Sequence, residues 1–148
     1  MGISFDDSFA QTSVELIPTD SIDDSSDTDY ELNGASEITS FVINNKTYVA
    51  VTGANDNGVQ ILDVTDPTDI TATDSFDDGT DNDVLLENAL GITSFVINGK
   101  TYVAVAGNDE HGVQILDVTD PANISKVTSI KNSVGVELEG AHGITSFV

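Results

Sequence analysis

Two acidic runs hold the side chains best suited to chemistry: Asp23, Asp24, Asp27 and Asp29 in the first, and Asp77, Asp78, Asp81 and Asp83 in the second. Clustered carboxylates offer hard oxygens to Ca2+, which takes roughly six to eight such ligands. The runs stand 54 residues apart at matching places, which favours a shared role. Neither fits the EF-hand spacing, and Asp and Gly are ordinary turn residues, so a solvated turn is the competing reading. Calcium is thus the sole cofactor candidate, and no other cofactor is expected.

A second group of candidates lies in two short polar loops, Asn55, Asp56 and Asn57 in one, Asn108, Asp109, Glu110 and His111 in the other. They hold nearly all the divergence between two otherwise matching segments. Loops that vary on a fixed scaffold are a common way to diversify a binding surface, and drift at a tolerant loop explains the pattern equally well. His142 precedes a strand-like run, where it could face a channel. Lone histidines without a supporting carboxylate, serine or second histidine are ordinarily structural or solvated. Leu90 and Ser36 stand where His142 does in the neighbouring units. The sequence contains no nucleophile elbow, phosphate loop, dinucleotide fingerprint or HExxH motif, so no catalytic residue is expected.

The matching segments that position these loops run from Ile38 to Pro67 and from Ile92 to Pro121. Aligned without a gap, they differ only at Asn45/Gly99, Thr52/Ala106, Ala54/Asn108, Asn55/Asp109, Asp56/Glu110 and Asn57/His111, which leaves 24 of 30 positions identical. A third copy starts at Ile144 and reaches Val148. The steps are 54 and 52 residues, the signature of a repeat array.

Within the unit, Ile92 to Ile97 is rich in β-branched and aromatic residues and predicts a strand. Asn98-Gly99 (Asn44-Asn45 in the earlier unit) predicts a type I′ hairpin turn. Thr101 to Ala106 alternates, with Tyr102, Ala104 and Ala106 on one face and Val103 and Val105 on the other. Val113 to Val118 is a third strand, closed by Thr119-Asp120-Pro121, because proline cannot donate to a ladder. A more polar fourth strand is expected near Ile124 to Ile130, and near Ile70 to Phe76 in the earlier unit. Helical periodicity is missing throughout. Four antiparallel strands per unit, the inner ones apolar on both faces, describe a β-propeller blade in an all-β protein. A β-solenoid has much shorter coils, and an immunoglobulin-like sandwich would leave the match between units unexplained.

The segments Val59-Gln60-Ile61-Leu62-Asp63 and Val113-Gln114-Ile115-Leu116-Asp117 are each preceded by Tyr-Val-Ala-Val and followed by Val-Thr-Asp-Pro or its equivalent. With the stretches Leu86 to Ile92 and Leu138 to Ile144, they resemble the LVIVD repeat family. Its members are β-propellers of bacterial and archaeal surface or secreted proteins. The resemblance covers about Leu16 to Val148 and implies a propeller fold and an exported setting. The motif is structural, so it carries no catalytic residue. The period exceeds a typical unit, which implies a longer loop between blades.

In chain order, residues 1–31 read as a partial blade with outer strands, including one near Leu16 to Asp24. Residues 32–85 and 86–137 are two complete blades, and 138–148 is the first strand of the next. Propellers need at least about four blades to close. The chain is therefore expected to be a fragment of a longer protein, to self-associate through open blade edges, or to stand alone with its edges protected by charge. Met1 to Ser13 carries no secretory signal, and no run is long enough to insert in a membrane. Twenty-six acidic residues face four lysines and no arginine, a net charge of −22 that makes nucleic acid a poor partner. It suits a secreted or cell-surface protein. The expected function is a non-enzymatic scaffold for adhesion or protein interaction, with a protein or glycan surface as partner. The alternative is the scaffold portion of a propeller enzyme whose catalytic residues lie in blades absent from this chain.

Overall fold

The computed structural model describes residues 20–25, 30–79 and 83–147. Eight strands occur in them and no helix: β1 (Ala35–Ile43), β2 (Lys46–Gly53), β3 (Gly58–Asp63), β4 (Thr71–Asp77), β5 (Ala89–Ile97), β6 (Lys100–Gly107), β7 (Gly112–Asp117) and β8 (Ser125–Lys131). They form two four-stranded antiparallel sheets, each ordered as the chain runs, β1 to β4 and β5 to β8. The sheets do not close on each other.

The hairpin turns follow from their residues. Asn44 and Asn45 have φ of 51° and 63°, and Asn98 and Gly99 have 52° and 77°. Positive φ at both central positions is what a type I′ turn demands, and Asn and Gly tolerate it best. The first strand of each unit starts earlier than its apolar run. Irregularities between Ala35 and Ile38, and between Ala89 and Gly91, let pairing continue past the change in pattern. The third strand ends at Asp63 or Asp117, where Lys46 and Lys100 each reach the carboxylate at 2.9 Å. Thr65 and Thr119 then donate backbone N–H groups to the same carboxylates at 3.0 Å.

Pairing places Phe41, Tyr48, Ala50, Val59 and Ile61 on one face of the first sheet. That face packs on Ile92, Val103, Val105 and Leu116 of the second sheet, and together they form one core. Opposite faces of successive units therefore meet. The sheets approach most closely at β1, β2 and β5. Phe41 stacks on Tyr48 with ring centroids 5.8 Å apart, and Phe95 on Tyr102 at 5.7 Å. The outermost strand β8 is exposed throughout, in line with its polar sequence.

Two expected strands take another form. The described part of the Leu16 to Asp24 stretch, 20–24, lies outside any strand, and residues 1–19 lie outside the described residues. Asp20 accepts Ser21 N, and Asp23 accepts Ser25 N at 2.7 Å, so local side-chain bonds bend the backbone. Ile144 to Phe147 also has no strand pairing, yet it lies along β5, where Ser146 N donates to Thr93 Oγ1 at 3.1 Å.

Candidate functional site

Each sheet is entered by a linker, 30–34 for the first and 84–88 for the second. The linker backbone runs against the end of the second strand: a side chain at Gly53 would stand 2.5 Å from Glu31 O, and one at Gly107 would stand 2.5 Å from Leu85 O. Only glycine permits that approach. Gln60 and Gln114, both buried in mid-strand, hold the linkers down. Gln60 Oε1 accepts Glu31 N at 3.1 Å while its Nε2 donates to Asp74 O at 2.9 Å. Gln114 repeats this with Leu85 N at 3.2 Å and Thr128 O at 2.9 Å. The sequence reading missed both glutamines, because a polar residue in a strand ordinarily points to water.

The two variable loops join β2 to β3 and β6 to β7, and their side chains are clasps. Asp56 Oδ2 accepts Asn33 N at 2.7 Å, Asn55 Nδ2 donates to Asn33 Oδ1 at 3.1 Å, and Asn57 Oδ1 accepts Asn88 N at 2.9 Å. In the second loop, Glu110 Oε2 accepts Glu87 N at 3.4 Å, and Asp109 Oδ1 accepts Asn88 Nδ2 at 3.1 Å. Asn108 Nδ2 donates to Ala141 O at 3.4 Å, and His111 Nδ1 accepts Gly140 N at 3.1 Å. Each loop thus grips the linker entering its own sheet and the one entering the next unit. The divergence at these positions accompanies divergence in the linkers they hold. His142 is exposed, its Nδ1 2.9 Å from Gly140 O.

The acidic candidates meet only in part. Asp24, Asp56, Asp77 and Asp78 gather around Glu31, a residue the sequence reading did not single out. Asp83 is exposed, and Asp27, Asp29 and Asp81 lie outside the described residues. Burial, and then repulsion from Asp77, Asp56, Asp24 and Asp78, push the Glu31 carboxyl up to about 7. Burial with Asp77 and Glu87 nearby also raises Asp78. The equivalent place in the second unit is neutralised, since Leu85 replaces Glu31 and Lys131 lies 3.9 Å from Glu110. Among the described residues, no three acidic or imidazole side chains converge as metal ligands would.

At the other end of the sheets lies an open cleft of about 580 Å³. Lys46, Tyr48 and Thr73 line it from the first sheet, and Thr119, Asp120 and Pro121 from the second. Asp63 and Asp117 beside it are held down at about 2 by hydrogen bonds, chiefly from Thr65 and Thr119, with the lysines adding to the effect. The cleft therefore offers donors, carboxylates and an aromatic edge together. Compared with protein-family models the chain matches none, and no curated protein matches it.

Proposed function

We propose that the chain is a β-propeller segment of a secreted or cell-surface protein, and that it acts as a non-enzymatic scaffold for adhesion or protein interaction. One observation carries the reading: the same hydrogen bonds recur at two successive junctions. Ser94 meets Thr39 and Ser40 O, and Ser146 meets Thr93 and Ser94 O. A device repeated at both junctions among the described residues supports an array. Four-stranded sheets stacked by opposite faces and drawn together at their first strands suit blades around an axis. In the Val-Gln-Ile-Leu-Asp segments that resemble the LVIVD motif, Gln and Asp serve as brackets. The net charge of −22 disfavours nucleic acid and suits a saline exterior.

The cleft between the sheets is the contact surface for a protein or glycan partner in this reading. Its test is a panel of oligosaccharides and extracellular proteins presented to the immobilised chain. Lys46→Ala and Asp120→Asn are expected to weaken binding by about tenfold each, the scale of one polar contact, with melting temperature preserved. Substrate turnover that vanished with the same substitutions would make the chain an enzyme and end the proposal.

A further inference from the structure

Three Asn-Gly pairs occur in the chain, Asn33-Gly34, Asn57-Gly58 and Asn98-Gly99. An asparagine amide is most readily lost before glycine, because no Cβ crowds the glycine nitrogen as it turns on the amide carbon. The fold holds two of the pairs fast. Asn57 Oδ1 accepts Asn88 N at 2.9 Å and Asn57 O accepts Asp78 N at 3.1 Å, while Gly58 is buried and paired with both Gly53 and Asp77. Asn33 Oδ1 accepts Asn55 Nδ2 at 3.1 Å, Asn33 O accepts Asn55 N at 3.1 Å, and Gly34 O accepts Ala54 N at 3.2 Å. The third pair is different. Asn98 and Gly99 are the corner residues of the β5–β6 hairpin, which Ile97 and Lys100 close. In such a turn the cross-strand bond uses the flanking residues, which leaves the Gly99 N–H to solvent. Among the described residues the exposed Asn98 amide has no hydrogen-bond partner, and a side chain at Gly99 would meet nothing within 4 Å. Asn44, the equivalent corner, is exposed with the second sheet beside it, so a neighbouring sheet does not cover this place.

We infer that Asn98 is a site of spontaneous deamidation in the folded protein, and that Asn33 and Asn57 are protected from it by the bonds that hold them. The step needs water and no other reactant. Gly99 N bonds to Asn98 Cγ and gives up its proton, the Cγ–Nδ2 bond breaks, and ammonia leaves with that proton. Ring closure requires the corner to swing out of its left-handed conformation, a local opening that an exposed hairpin tip makes at small cost. Water then opens the succinimide. Opening at Cγ leaves aspartate, and opening at the backbone carbonyl leaves isoaspartate, in which the chain runs through Cγ. Either product adds a negative charge, and isoaspartate also lengthens the backbone of a turn fitted to φ of 52° and 77°. The earlier unit has Asn45 where Gly99 stands, so its hairpin keeps the turn without the glycine that favours the reaction. The inference rests on turn geometry and hydrogen bonding and stands apart from the scaffold reading.

Peptide mapping by mass spectrometry after storage of the full chain at mildly alkaline pH, beside a portion kept in urea, tests this. In the folded chain, aspartate and isoaspartate are expected at position 98, with Asn33, Asn44 and Asn57 unaltered over the same period. In urea, Asn33 and Asn57 are expected to convert alongside Asn98, because their protection comes from the fold. Gly99→Asn copies the turn of the earlier unit and should abolish the conversion at position 98 while leaving circular dichroism unchanged. An Asn98 that stays intact in the folded chain would overturn the inference. Conversion of Asn33 or Asn57 in the folded chain as fast as that of Asn98 would overturn it too.

Discussion

Glu31 stands where the second unit has Leu85, and both lie over a glycine, Gly58 or Gly112. A carboxyl in a place shaped for leucine holds its proton up to about pH 7, against about 4.5 in the unfolded chain. Folding therefore has the full benefit of a neutral side chain below about 4.5. The benefit erodes as pH rises from there to 7 and is gone above. A shift of that size corresponds to roughly 3 kcal/mol for an enclosed group. Glu31 is only half-buried, so about 1 kcal/mol is expected after solvent screening. Glu31→Leu should raise the melting temperature at pH 8 by about 3 °C. It should change little at pH 4, and a scanning-calorimetry series over pH would show the difference. An equal gain at every pH would place the effect in packing instead.

At the level of strands and linkers, Gln114 is the residue whose loss should be felt most. Gln114→Ala leaves Leu85 N and Thr128 O without their partner, and buried unsatisfied groups cost about 1–3 kcal/mol each. A loss of about 2–4 kcal/mol in urea unfolding is expected, against under about 1 kcal/mol for the exposed Lys100→Ala. The contrast shows what could be read from the chain and what could not. The Asn-Gly turn, the alternation of Thr101 to Ala106 and the stop at Pro121 are local signals, and the strands formed within a residue or two of them, apart from the earlier start of β1 and β5. Gln114 gives no such signal, because its partners lie 29 and 14 residues away and its surroundings are set by the fold. The acidic cluster was half legible for the same reason. Asp77 and Asp78 form a visible run, but Glu31 and Asp56 join them only because linker and loop meet at one end of the sheet. The loops Asn55–Asn57 and Asn108–His111 differ visibly in sequence, but the linker backbone they grip has no periodicity to announce it.

For the molecule as a whole, 26 acidic residues against four lysines mean that self-repulsion opposes compaction. Screening shortens from about 10 Å at 0.1 M salt to about 3 Å at 1 M. Sodium chloride over that range should raise the melting temperature by about 5 °C, about 1–2 kcal/mol for a chain of this size. Calcium chloride at matched ionic strength separates the two readings of the acidic runs: an added rise marks bound Ca2+, and an identical rise leaves solvated turns. The seam at which Ser94 settles against Thr39 and Ser40 returns unchanged at Ser146, Thr93 and Ser94. Around that shared pair the two joints differ: Thr52 donates to Leu90 O and Glu37 accepts Ile92 N at the first, where Ala106 and Gly91 stand in their places at the second. Gain or loss of one whole period would therefore keep the serine seat and alter only the bonds that surround it.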